Sequence, residues 1–345
     1  MRFGMIGEGF MERLVLRSRL FPAPMLESYA MVTTRALLAA TERGLFEALV
    51  AGPATASEVA ERCETDPTAT EKLLNLLVGM RHLRVGRDGR YALTSRARRW
   101  LTGSGSLRDS ILMKDLEWRW IERLDEFLVS GTHHDVHGTM APADWGRYQR
   151  GMRSNAGVVA PLLASRIPIP TGARDLLDIG GSHGFFSVAL CRRHEGLRAV
   201  VLDLPDAVEH AAPLLAAEGM GERVTLRAGD ALTDDLGTEA YDAVFMASLV
   251  HHFDDASNRS LVRRAADALR PGGTLVIFDA IRLDPWENDQ VSAFFDLYFA
   301  MTSRAGLWTY EEMAEWQRAA GLRPRPPIRL PMSRANGLQV ADKPA

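Results

Sequence analysis

From Met25 to Leu49 apolar residues recur at helical spacing, through Leu26, Ala30, Val32, Ala36, Leu37, Ala40 and Leu45, which predicts an amphipathic helical stretch. Gly52-Pro53 breaks it, and Thr55-Ala56-Ser57-Glu58 reads as a cap opening a short helix to Cys63. Asp66-Pro67-Thr68 opens another, carrying Leu73, Leu74, Leu76, Leu77 and Met80. The pattern then changes. His82–Val85 and Tyr91–Leu93 flank the polar turn Gly86–Gly89 and predict a hairpin. Helices followed by a hairpin give a winged-helix pattern over residues 40–96.

A second helical stretch, about 109–165, is rich in large side chains: Met113, Trp118, Trp120, Phe127, Trp145, Tyr148 and Met152. The loop Gly131–Pro142 interrupts it, and Pro168, Pro170 and Gly172 mark a linker. Beyond the linker, apolar runs at Asp175–Ile179, Arg198–Leu202, Val224–Ala228, Tyr241–Ala247 and Gly273–Phe278 alternate with amphipathic stretches at Phe185–Arg193, Ala207–Ala217 and Ser257–Arg270. That alternation predicts an α/β fold with a mostly parallel sheet covered on both faces. Three segments follow: 1–108, helical and winged-helix-like; 109–170, a helical linker; and 171–345, the sheet domain.

The length of 345 residues fits two domains with a smaller appendage. With 46% apolar and 25% charged residues the chain is an ordinary globular one. Lys and Arg total 41 against 44 Asp and Glu, a balance of −3 that lacks the basic footprint of a nucleic-acid binder. Two cysteines, Cys63 and Cys191, are too few for a disulfide framework. Charged or polar residues interrupt every apolar run short of the ~18 residues a membrane span needs. Arg2, Glu8, Glu12, Arg13, Arg17 and Arg19 are scattered through the first twenty residues, unlike a secretory leader. A cytoplasmic protein is the expectation.

The chemistry concentrates in the second half. Leu176-Leu177-Asp178-Ile179-Gly180-Gly181-Ser182-His183-Gly184 is a strand running into a glycine-rich turn and a helix. Such a turn lets backbone approach a ligand, and the helix start offers unpaired N–H groups. Asp203 ends the next strand, where a carboxylate can accept from both hydroxyls of a ribose. Gly229-Asp230-Ala231 follows the strand after that, with Asp230 suited to an adenine amino group. A dehydrogenase is disfavoured, because G-x-G-x-x-G counted from Gly180 needs glycines where Ser182 and Phe185 stand.

The runs LLDIGGSHG, VVLDLPDAVEHA, RAGDAL, DAVFMASLVHHFDD and LRPGGTLVIFDAI resemble the S-adenosylmethionine-dependent O-methyltransferases of the caffeate, acetylserotonin and bacterial polyketide-tailoring type. The resemblance spans nearly the whole chain. It implies a Rossmann-like class I methyltransferase domain with a seven-stranded sheet, behind a winged-helix-like dimerisation domain that forms a homodimer. It also implies S-adenosyl-L-methionine as cofactor, with S-adenosyl-L-homocysteine as product, and a small hydroxylated aromatic or polyketide-like acceptor. Carried onto this chain, the cofactor would meet Asp178, Gly180, Gly181, Ser182, Gly184, Asp203, Leu204, Gly229, Asp230, Ala231 and Ser248. His251 would be the general base with Asp279 supporting it. Asp296 is the substitute for a second supporting acid, since Leu307 stands where many members have Glu. Tyr148, Met152, His252, Phe295 and Phe299 would face the acceptor.

The case for His251 also stands on chemistry. A hydroxyl is a poor nucleophile until its proton leaves, and imidazole is largely free base at neutral pH. His133, His134 and His137 share a loop with Asp135 and no cysteine, which reads as a solvated loop and not a metal site; no metal is expected. A winged-helix DNA-binding regulator is the remote alternative, but the helix at 68–80 offers only Lys72 to a groove. Methylation of nitrogen or carbon, and non-methylating hydroxylation or decarboxylation on the same scaffold, are the nearer alternatives.

Overall fold

The computed structural model describes residues 11, 23–331 and 333–345. The chain forms two compact units, one ending at Asp115 and the other running from Leu116 to Ala345.

In the first unit α1 (Ala23–Ser28) and α2 (Ala30–Glu42) precede α3 (Ala56–Cys63) and α4 (Pro67–Gly79). A hairpin of β1 (Leu83–Val85) and β2 (Tyr91–Leu93) follows, then α5 (Ser95–Leu101) and α6 (Arg108–Ile121), which crosses the division. The helix starts are where the caps predict. Thr55 accepts from the Glu58 amide at 3.2 Å while Glu58 accepts from the Thr55 amide at 2.7 Å, a reciprocal capping box. Asp66 accepts from the Ala69 amide at 2.8 Å ahead of Pro67, which needs no N–H there. Leu74 and Leu77 are fully buried with Leu45, Phe46 and Leu49, while Glu71 and Lys72 face solvent. The leucine-rich helix therefore packs inward. On α1 and α2, by contrast, Met25, Tyr29, Met31 and Val32 are all more than half exposed.

The second unit continues with α7 (Leu124–Ser130) and the long α8 (Pro142–Arg166), then β3 (Asp175–Ile179), α9 (Phe185–Arg193), β4 (Arg198–Asp203), α10 (Pro205–Ala216), β5 (Val224–Ala228) and β6 (Tyr241–Ala247). A single 3₁₀ turn, Val250–His252, leads to α11 (Asp255–Ala268) and β7 (Leu269–Ala280). Then come α12 (Gln290–Thr302), α13 (Tyr310–Ala319), β8 (Arg323–Pro324), β9 (Ile328–Leu330) and β10 (Ser333–Asp342). Seven strands lie in the order β5-β4-β3-β6-β7-β10-β8, and β9 pairs with β10 beside that line. Strands β3 to β7 are parallel, and β10 runs antiparallel to β7.

Both faces of the sheet are covered, so its strands are apolar on both sides. Ala243 and Phe245 face the core shared with Leu163 of α8, Val188 and Leu190 of α9, and Leu215 of α10. Val244 and Met246 face the opposite core with Leu261 and Val262 of α11 and Trp316 of α13. Strand order reverses at β3, which has β4 on one side and β6 on the other. In open α/β sheets the crevice at such a reversal, beyond the carboxyl ends of the strands, is where ligands bind.

Two elements differ from the expectation. The helix expected to reach Arg270 ends at Ala268, and strand β7 begins at Leu269. Strand β10 has no counterpart in the apolar pattern, because Gly337 and the buried Gln339 interrupt it; Gln339 bonds with Gln317 of α13.

Candidate active site

The turn after β3 is close-packed where a ligand would approach. Gly180 has φ 67°, and a Cβ there would fall 2.6 Å from Leu249 Cδ1. At Gly181 a Cβ would lie 2.6 Å from the Asp178 carboxyl carbon and 2.7 Å from Val201. Gly184, at φ 70°, is the N-cap of α9. Only glycine meets these demands without displacing its neighbours.

Three carboxylates stand along this edge. Asp178 is fully buried; one oxygen accepts from Ser187 Oγ at 2.7 Å, and the other has no partner. Burial pushes its carboxyl up to about 7. Asp203 accepts from the Ser182 amide at 2.6 Å and from the Leu204 amide at 2.7 Å. Burial nonetheless carries it to about 6, against the pull of those two bonds. Asp230 accepts from the Leu232 amide at 2.8 Å, with Ala231 between them. The Gly229 amide donates to the Asp203 carbonyl at 2.9 Å, tying the ends of β4 and β5 together. Ser248, after β6, has φ 51° and donates its amide to the Phe278 carbonyl at 2.8 Å.

His251 lies on the 3₁₀ turn beyond β6 and is 2% exposed. Its Nδ1 is 2.8 Å from Asp279 Oδ1, near the end of β7. An ionised carboxylate only accepts, so Nδ1 carries a proton, and in the neutral ring Nε2 keeps its lone pair. Asp279 Oδ1 also accepts from the Ala280 amide at 2.7 Å. The turn itself is pinned: the Val250 carbonyl accepts from Asn258 Nδ2 at 2.9 Å and from Trp308 Nε1 at 3.0 Å. Asp296 is not bonded to His251. It accepts from the Leu307 amide at 2.9 Å, next to Trp308, whose indole donates to the Val250 carbonyl of the histidine turn.

Beside His251 stands a polar but uncharged wall. The His252 ring centroid is 4.2 Å from that of His251, and its Nδ1 is 2.8 Å from Ser303 Oγ. His137 lies 4.8 Å from His252, and its Nε2 is 3.0 Å from Tyr148 Oη. Burial pushes His137 down to about 4, with His251 adding to the effect. Burial likewise holds His252 well below the ordinary imidazole range and pushes the Tyr148 phenol upward. Phe299 stacks on the His251 ring at 3.6 Å, and Phe295 stacks on Phe299 at 5.7 Å. Met152 is half-buried on α8, four residues beyond Tyr148.

The solvated-loop reading of the three neighbouring histidines therefore fails for His137, which packs against Trp145, Tyr148 and His252. It also fails for His134, whose amide donates to the Met301 carbonyl at 2.7 Å and whose ring pairs with Arg123. The cause is α8, which presents Trp145 and Tyr148 one turn apart to that loop. Two further residues carry no signal in the sequence: Asn258, which bonds back to the Val250 and Phe253 carbonyls, and Trp308, which reaches Val250 from 58 residues away. Among the described residues no group of three or more His, Cys, Asp or Glu is placed to hold a metal ion.

Residues 132–323 match the O-methyltransferase domain family, and residues 27–103 match the O-methyltransferase dimerisation domain. A 3-hydroxy-5-methyl-1-naphthoate 3-O-methyltransferase of Streptomyces sahachiroi is 29% identical over 327 residues, covering 90% of this chain and 92% of the relative. The N,N-dimethyltransferase OxyT of Streptomyces rimosus is 29% identical over 284 residues, covering 77% of this chain and 81% of the relative. Human N-acetylserotonin methyltransferase, solved with S-adenosylmethionine, shares the fold at a TM-score of 0.85 and 18% identity, over 95% of this chain and 99% of that one. With its sheet domain and its helical unit both accounted for, the chain belongs to the O-methyltransferase family and is a methyltransferase preceded by that family's dimerisation domain.

Proposed function

We propose that this enzyme methylates a hydroxyl of a small aromatic, polyketide-like acceptor, with His251 as general base. The observation that carries the reading is the buried His251–Asp279 pair, which leaves Nε2 as an acceptor at the sheet edge. Bound S-adenosylmethionine supplies a methyl group activated on a sulfonium. The residues fit it: the close-packed Gly180–Gly184 turn would meet the methionine part, near the partnerless oxygen of Asp178. Asp203 would hold the ribose hydroxyls, with Leu204 and Gly229 alongside, and Asp230 and Ala231 would border the adenine. Ser248 would close the site from β6.

His251 Nε2 takes the acceptor's hydroxyl proton, and Asp279 stabilises the imidazolium that results. Phe295 and Phe299 supply flat apolar surface for the ring, while Tyr148, Met152 and His252 border it. Asp296 supports the base at one remove, through the backbone that carries Trp308. The relative acting on a hydroxynaphthoate supports an aromatic hydroxyl. Transfer to nitrogen is the alternative raised by the N,N-dimethyltransferase relative.

The reading extends to organisation. Segment 1–108 would pair two copies, 109–170 would contribute Tyr148 and Met152 to the acceptor pocket, and 171–345 would hold the cofactor. Exposed Met25, Tyr29, Met31 and Val32 support a homodimer, because a contiguous apolar surface calls for a partner. The sequence carries further apolar residues before them, Phe10, Leu14, Leu16, Leu20 and Phe21, which lie outside the described residues. Light scattering should give twice 38.1 kDa. A cytoplasmic location is part of the proposal; among the described residues no helix is long and apolar enough to cross a membrane. The base mechanism needs no metal, so a chelator should leave turnover unchanged.

His251→Ala tests the central claim. Turnover, followed with labelled cofactor and a panel of phenols, should fall by about 10²–10⁴-fold. Affinity for S-adenosylhomocysteine, measured by calorimetry, should be unaffected. A variant that keeps most of its rate removes the base assignment.

A further inference from the structure

One side chain leaves the glycine turn for α8: Ser182 Oγ donates to Gln149 Oε1 at 2.6 Å. Beside it, His183 Nδ1 accepts from the Phe185 amide at 3.0 Å. Gln149 is 1% exposed, so the contact does not compete with water.

Ser182 is the telling residue. It holds φ 53°, a left-handed conformation that glycine adopts freely and serine only at a cost. Its backbone contact, the amide donating to Asp203 Oδ2 at 2.6 Å, would be made equally by glycine. Only the bond to Gln149 requires the hydroxyl. One residue thus touches the carboxylate at the end of β4 with its backbone and α8 with its side chain. The helix it holds carries Tyr148, immediately before Gln149, whose hydroxyl pairs with His137.

We propose that Ser182 and Gln149 are positioning residues that clasp α8 to the cofactor turn, so that filling the cofactor site orders the acceptor wall on α8. The inference rests on the placement of cofactor and acceptor given above. Its consequence is coupling: the enzyme that has bound S-adenosylmethionine presents Tyr148 and Met152 in fixed positions, which favours cofactor first and acceptor second. Helix α8 has other anchors, since Arg153 pairs with Glu218 and lies over the Phe185 ring at 3.6 Å. Losing the clasp therefore leaves the fold intact.

The test uses the full-length protein, S-adenosylhomocysteine as probe, and the variants Ser182→Gly, Gln149→Leu and the double variant. Amide hydrogen exchange of residues 145–152 is followed with and without the probe, beside calorimetric affinity and thermal midpoints. In the natural protein the probe should slow exchange there by about tenfold or more. In Gln149→Leu the midpoint and the probe's affinity should hold, the affinity to within about threefold, while the slowing largely disappears. Ser182→Gly should lose the same slowing, and the double variant should lose nothing more. Equal protection in Ser182→Gly and the natural protein, or additive losses in the double variant, overturns the clasp alone. Failure of the natural protein to bind the probe overturns the cofactor placement and the clasp with it.

Discussion

The two sides of the crevice are built from different titratable groups. On the side of β3, β4 and β5 stand carboxylates, and burial lifts Asp178 to about 7 and Asp203 to about 6. On the side of His251 stand imidazoles and a phenol that burial keeps neutral: His137 falls to about 4, His252 lies well below its ordinary range, and the Tyr148 phenol is raised. The first set suits a ligand that brings hydroxyl and ammonium donors to its acceptors. The second suits a flat, neutral ring whose single reacting proton is the only charge to be moved. His251 is bonded to the Asp279 carboxylate and has His252 and Phe299 against its ring, so under the proposed mechanism Asp279 is the carboxylate placed to stabilise the imidazolium.

The sharpest way to break this division is Asp279→Ala. Without that carboxylate His251 loses both its fixed tautomer and the charge that stabilises the imidazolium, so turnover should drop about 10²–10⁴-fold. Affinity for the cofactor product should not move. Asp296→Ala should cost less, because Asp296 acts through the Leu307 amide and not on the ring. If the two variants lose rate equally, the pair at 2.8 Å is not what activates the base.

On the other side, Asp203→Ala should weaken S-adenosylmethionine binding by about tenfold to a hundredfold for each charged bond lost. The pH dependence has a definite sign. In the proposed placement ribose hydroxyls would donate to the ionised carboxylate, and a carboxyl lifted to about 6 takes up a proton as pH falls through that value. Affinity should therefore be full above about pH 7 and decline toward pH 5. Asp178 titrates close by, so the midpoint belongs to the two together. Calorimetry from pH 5 to 8 reads the limb, and Asp203→Asn should flatten it. A decline that survives in that variant assigns it elsewhere.

The difference between the two sides also explains what was legible in the sequence. The bounds of β3, β5 and β6 follow directly from apolar runs, since strands buried on both faces carry no polar alternation. The glycine turn is likewise local: nine consecutive residues hold its strand end, its close approaches and its helix start. The acceptor wall has no such economy. His137 comes from a loop, Tyr148 from α8, His252 from the turn after β6 and Phe299 from α12, and nothing near His137 in sequence signals that Trp145 and Tyr148 will bury it. Strand β10 was hidden for a related reason: Gln339 is buried yet polar, and it satisfies itself against Gln317, 22 residues earlier in the chain. Asp296 shows the limit of carrying a role by position, because its carboxylate is spent on the Leu307 amide.

The gentlest probe of the comparison is Tyr148→Phe. It removes the Tyr148 Oη contact with His137 at 3.0 Å and keeps the ring against Trp145. One neutral hydrogen bond contributes about 1 kcal/mol, so acceptor KM should rise about fivefold while kcat and cofactor affinity change little. The phenol is raised above its ordinary value by burial, with Asp203 and Glu117 adding to the shift, so Tyr148 keeps its proton throughout the working range. Its loss should accordingly leave the shape of the pH–rate profile as it was. His137→Gln, which can still pair with the phenol, should be milder than Tyr148→Phe. A hundredfold fall in kcat, or a displaced pH profile, would mean that Tyr148 exchanges protons with the acceptor, and the wall beside His251 would then be part of the acid–base machinery and not a neutral seat for the ring.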